Sequence, residues 1–179
     1  MQRKTATSIV VGLLATGFAV SWFATGRKTS GNFNETLDGG AEVAYLGSQG
    51  VIFQDRSNDC GVAALMMVLD HYGIRASQKE LERRARLGFR GASLGTMKEL
   101  AISAGLDAEG WKLSFDDLLS IQFPAIIFIE NHHFVVVDSV DEKGFLFLRD
   151  PAVGRLRIPR RRAIDIWNGE TLVIACGSR

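Results

Sequence analysis

Gln54-Asp55-Arg56-Ser57-Asn58-Asp59-Cys60-Gly61-Val62-Ala63-Ala64-Leu65-Met66-Met67-Val68-Leu69 joins a polar loop to an apolar, helix-forming run at a cysteine. A helix start exposes unpaired backbone N–H groups and a partial positive charge. That environment favours the thiolate, the attacking form of the side chain. Gly61 to Tyr72 is rich in Ala, Leu and Met and apolar on nearly every side, which predicts a buried helix stopping at Gly73. Cys60 is therefore a candidate nucleophile, although a small buried hydrophobe is the plainer role for a cysteine. Gly61 beside it would leave room for a substrate backbone.

A nucleophilic cysteine needs a base and an orienting group. His132-His133-Phe134-Val135-Val136-Val137 places two histidines before a strand-like run. Neighbouring strand residues face opposite ways, so only one of the pair can face a given site, and alternation does not say which. Asp150 precedes Pro151 in a turn and could hold the imidazole in one tautomer; Asp-Pro is also ordinary turn chemistry, and Asp138 and Asp141 are rivals. Gln54, one short loop before Cys60, could donate its amide to an oxyanion, or be a solvated loop residue.

Further along, Ser77-Gln78-Lys79-Glu80 before Leu81 predicts a capping box and a second helix to about Leu87. Ser93 to Ala104 predicts a third helix, and Ser114 to Leu119 a short one. Between and after them, Ala108–Leu113, Ala125–Ile129, His132–Val140, Phe145–Leu148, Arg155–Ile158 and Leu172–Ala175 read as strands. Helices first and strands later imply an α+β fold with an antiparallel sheet packed on the nucleophile helix.

The 179 residues suffice for one domain with a full core. A net charge of +1 carries no global signature for nucleic acid, and the arginine-dense stretches Glu82–Arg86 and Arg155–Arg162 read as solvated faces. Two cysteines do not make a disulfide framework; Cys176 reads as a strand-end bystander. Arg3 and Lys4 precede an uncharged run from Thr5 to Gly26 that ends with Trp22 and Phe23 near Arg27 and Lys28. The run approaches the roughly 20 residues that span a bilayer. It predicts a signal anchor or signal peptide over residues 1–28, a flexible Gly/Ser/Asn-rich tether over 29–50 and a folded domain over 51–179 that lies outside the cytoplasm.

Taken together, Gln54, Asp59-Cys60-Gly61-Val62-Ala63-Ala64-Leu65, His133-Phe134-Val135-Val136 and Asp150-Pro151 with Gly154 resemble the bacteriocin-processing, double-glycine-leader cysteine peptidases. The resemblance implies a papain-like fold, a Cys60–His133–Asp150 triad, His133 rather than His132 as the base, and Gln54 as the oxyanion donor. It implies cleavage of a polypeptide after a Gly-Gly pair, with no metal or organic cofactor. Members are best known as domains of peptide-exporting ABC transporters, yet no Walker A pattern occurs in this sequence, and an N-terminal apolar segment does. The expected partners are thus a secreted or surface polypeptide or a double-glycine leader, secretion machinery, and a membrane through the N-terminal segment. Two other readings stand beside proteolysis: a non-catalytic leader-binding module and a papain-like thiol acyltransferase. Leu37-Asp38-Gly39-Gly40-Ala41 resembles a double-glycine junction and could be a self-cleavage site, although Gly-Gly is also ordinary linker chemistry.

Overall fold

The computed structural model describes residues 43–177. The expected signal segment and Leu37-Asp38-Gly39-Gly40-Ala41 lie outside these residues. Among the described residues, no helix is long and apolar enough to cross a membrane.

The elements follow in the order β1 (Ala44–Tyr45), α1 (Cys60–His71), α2 (Gln78–Ala85), α3 (Leu94–Ser103), β2 (Leu106–Lys112), α4 (Phe115–Leu118), β3 (Ala125–Ile129), β4 (His133–Val140), β5 (Leu146–Asp150), β6 (Gly154–Ile158), α5 (Arg160–Ile166) and β7 (Trp167–Cys176). The seven strands form one sheet in the order β1-β6-β5-β4-β3-β7-β2. Every pairing is antiparallel.

Strand alternation divides the core in two. Phe134 and Val136 of β4 join Ile126, Leu172 and Ile174 in a cluster with α1, α2 and α3. Val135 and Val137 face the other way, into a cluster with Phe115, Leu118, Ile127, Leu148, Ala163 and Trp167. Helix α1 buries nine of its twelve residues, as an apolar run without a polar face must. Buried Arg149 ties this layer to the sheet. Its guanidinium pairs with Asp138 and donates to the carbonyls of Gly50 and Met67, each at 3.3 Å.

Several expectations change. The tether predicted to Gly50 ends earlier: Ala44–Tyr45 pairs with β6, so the sheet includes residues assigned to the linker. Ser77 stands at the start of α2 but makes no side-chain cap, and Glu80 pairs with Arg83 instead. A reciprocal capping box forms at Ser114 and Asp117. Helix α2 stops at Ala85, where Arg86 turns left-handed. Strand β7 starts at Trp167 rather than Leu172, and α5 occupies an arginine run read as surface. Both cysteines are free, Cys60 buried and Cys176 exposed.

Candidate active site

Cys60 is the first residue of α1, and its sulfur-bearing side chain is 6% exposed. Asp59 holds the cap position before it. Gly61 does not open space for a substrate, as its sequence position suggested. A Cβ there would meet Met97 sulfur at 2.8 Å and Phe134 Cδ2 at 3.3 Å. The glycine lets α1 press closely onto α3 and β4.

His133 is placed by a hairpin. Glu130 and Asn131 both take positive φ, 52° and 59°, and the His132 N–H donates to the Ile129 carbonyl at 3.2 Å. Two successive positive-φ residues turn the chain tightly back on itself. The turn makes His133 the first ladder residue of β4, opposite Ile129. His132 stays in the turn, its Nδ1 against the Glu130 carbonyl at 2.7 Å.

Asp150 ends β5 on the neighbouring strand. Its Oδ1 lies 2.8 Å from His133 Nε2 and accepts the Ala152 N–H at 2.7 Å. The 150–154 turn closes on Gly154, at φ 128°, where a Cβ would collide with the Tyr45 ring at 2.7 Å and the Gly47 carbonyl at 2.8 Å. Glycine is required there by conformation and space alike. The rivals are engaged elsewhere: Asp138 pairs with Arg149, and Asp141 accepts the Lys143 and Phe145 N–H groups of its own turn.

With Nε2 engaged by Asp150, the other ring nitrogen of His133 is left for Cys60. Burial pulls the imidazole pKa down, but hydrogen bonds to Asp150 and Cys60 and the charges of both more than offset it, raising it to about 9. These contacts favour the protonated imidazole over the neutral ring. The structure thus brings Cys60, His133 and Asp150 together from α1, β4 and β5.

Gln54 adjoins the same turn: its backbone N–H donates to the Pro151 carbonyl at 3.0 Å. Its Nε2 donates to the Arg56 carbonyl at 3.0 Å, while Oε1 is buried without a partner. One N–H of the amide is therefore occupied by the chain's own backbone. From Cys60 a cleft of about 570 Å³ runs past Leu94, Phe128, Phe134 and His132 to Phe89, which stands fully exposed on the 88–91 turn. Sequence reasoning did not single out Phe89; only its flanking glycines, Gly88 and Gly91, hinted at a turn.

A cysteine at a helix start, an imidazole on the adjoining strand and a carboxylate on the next are an arrangement that comparison with known proteins can place. The Peptidase C39 family matches residues 48–179. The chain belongs to the peptidase C39 family. It is a cysteine peptidase with a papain-like fold of helices packed on an antiparallel sheet. An uncharacterised protein of Methanothermobacter thermautotrophicus is 33% identical over 72% of this chain and 90% of its own length. The colicin V secretion/processing ATP-binding protein CvaB of Escherichia coli is 32% identical over 72% of this chain but only 18% of its own. The crystal structure of a double glycine motif protease from an AMS/PCAT transporter, in complex with the leader peptide, superposes with a TM-score of 0.68. It is 28% identical and covers 70% of this chain and 90% of that one.

Proposed function

We propose that this C39 peptidase cleaves a leader or exported polypeptide after small residues such as Gly-Gly, using Cys60, His133 and Asp150 as its triad. The observation that carries the reading is the 2.8 Å bond from His133 to Asp150 beside Cys60, with the imidazole pKa raised to about 9. The leader bound to the 28%-identical protease supports the substrate class.

In this mechanism the Cys60 proton passes to His133, and the thiolate attacks the carbonyl carbon of the residue before the scissile bond. The oxyanion is met by the Cys60 N–H at the start of α1 and by the Gln54 amide. His133 gives its proton to the leaving amine. Water, deprotonated by His133, then breaks the thioester and releases the acid. Asp150 holds Nε2 and stabilises the imidazolium throughout.

Cys60→Ala tests the assignment with peptides carrying a Gly-Gly junction. Cleavage should vanish while the melting transition persists. Persistent turnover in the variant would refute the role of Cys60, and binding without turnover in the wild type would favour a leader-binding module. Mass analysis of products distinguishes hydrolysis from amine conjugation.

The apolar run from Thr5 to Gly26, flanked by Arg3, Lys4, Arg27 and Lys28, supports a membrane-anchored or exported domain acting outside the cytoplasm, on a secreted or surface protein. Trypsin should then reach the domain in cells whose inner membrane is intact; protection until that membrane is opened would refute this placement.

A further inference from the structure

The carboxylate of Asp59 is completely buried immediately before the nucleophile, yet it does not cap the helix it precedes. An aspartate at this position ordinarily accepts from the helix's first N–H groups. Here it turns back into the loop. One oxygen accepts from the Asp55 N–H at 3.2 Å, and the Arg56 N–H lies 3.2 and 3.1 Å from the two oxygens. The Arg56 guanidinium is a distant and exposed partner, 3.8 Å from the carboxylate. Backbone amides are thus the main compensation for burying this charge.

The bonds continue to the turn that follows Asp150. Arg56 is held at its N–H by Asp59 and at its carbonyl by Gln54 Nε2. Gln54 is held at its backbone N–H by Pro151, next to Asp150. The loop is also gripped from outside: Asn58 Nδ2 donates to the Gly88 carbonyl at 3.0 Å, and a Cβ on Gly91 would stand 2.5 Å from the Asn58 carbonyl. Only a glycine permits that approach.

We propose that Asp59 is a positioning residue for the oxyanion site. Resting on the peptidase reading above, it fixes Arg56 so that the Gln54 amide is aimed by one N–H and offers its other to the substrate oxygen. Because its carboxylate faces the loop, it also leaves the first N–H groups of α1 uncapped by that side chain.

Asp59→Asn is the test: it keeps one oxygen for the Asp55 and Arg56 N–H groups, removes the carboxylate's charge, and sets an NH2 against the Arg56 N–H where the second oxygen accepted at 3.2 Å. With a Gly-Gly peptide, kcat should fall by about tenfold or more while KM changes less than about twofold. Affinity for a peptide aldehyde, which gains an oxyanion when Cys60 adds to it, should fall in parallel. Alkylation of Cys60 by iodoacetamide expels iodide and forms no oxyanion, so its rate should stay within about twofold. A merely structural role would slow both reactions. In a cycle with Gln54→Ala, the double variant should lose little more than the worse single one. Additive losses, equal losses in both reactions, or wild-type kcat in Asp59→Asn would each overturn the proposal. If Asp59→Asn does not fold, Asp59→Ser, which keeps one acceptor, takes its place; failure of both to melt cooperatively would make Asp59 a stability residue and overturn it too. A wild type without Cys60-dependent cleavage sinks the peptidase reading itself, whereas an active wild type matched by Asp59→Asn sinks only this role.

Discussion

Asp150→Asn isolates charge from geometry. Asp150 uses the same oxygen for His133 Nε2 at 2.8 Å and for the Ala152 N–H at 2.7 Å, and asparagine keeps an acceptor at that position. The turn should therefore survive while the negative charge is lost. A hydrogen bond to a charged partner contributes about 1.5–3 kcal/mol net. If that contribution is realised when the imidazolium forms, kcat/KM falls about ten- to hundredfold. The pH dependence must move as well. His133 is raised to about 9, against the pull of burial, chiefly by the Asp150 and Cys60 hydrogen bonds. The imidazolium thus persists as pH rises until about 9, and activity that needs it falls beyond that point. Removing the Asp150 charge lets burial act with less opposition, so the alkaline limb shifts to lower pH. The assay is peptide hydrolysis from about pH 5.5 to about 9.5, paired with NMR titration of the His133 ring. A variant with kcat/KM within about twofold of wild type, and an alkaline limb still near 9, would refute the assigned role of Asp150.

The same imidazole couples folding to pH. Its folded pKa of about 9 stands above the ordinary 6.5. Its stabilisation is therefore fully present below pH 6.5 and lost as pH rises to about 9, by at most about 3 kcal/mol before allowance for solvent screening. Urea unfolding at several pH values should show that loss in the wild type and a flatter profile in His133→Asn; parallel profiles would contradict it. Gly61→Ala drives a Cβ against Met97 sulfur at 2.8 Å and should cost about 1–3 kcal/mol. Combined with Met97→Ala it should cost less than the two single losses added, and strict additivity in urea melts would exclude the clash. Arg149→Ala leaves Asp138 and the Met67 and Gly50 carbonyls without their donor, for a loss of about 3 kcal/mol. A loss under about 1 kcal/mol in the same melts would show that the buried guanidinium does not hold α1 to the sheet.

Most of what positions the site was legible in local pattern. The run after Cys60 reads as a buried helix, and Ala125–Ile129 and His132–Val140 read as strands, chiefly from their apolar character, and α1, β3 and β4 form there. Helix α5 was hidden because Arg160-Arg161-Arg162 looks like solvated surface. In the fold Ala163 alone of its residues is buried, while the Arg160 guanidinium lies over the Phe115 ring, 4.4 Å from its centre. The first half of β7 was missed for a similar reason: Asn168 and Glu170 interrupt the apolar signal between Trp167 and Leu172. The two histidines teach more. Alternation puts His132 on the face of Phe134 and Val136, towards α1, and so would have favoured the wrong ring for Asp150. The face rule fails because the contact is made at the end of the sheet, where a strand's first residue can reach round to the start of a helix. What selects His133 is register. Glu130 and Asn131 take positive φ, His132 stays in the turn with them, and His133 becomes the first ladder residue, opposite Ile129 and on the strand beside Asp150. The decisive information lay in the turn chemistry of Asn131, two residues before the histidine, rather than in the apolar run that follows it.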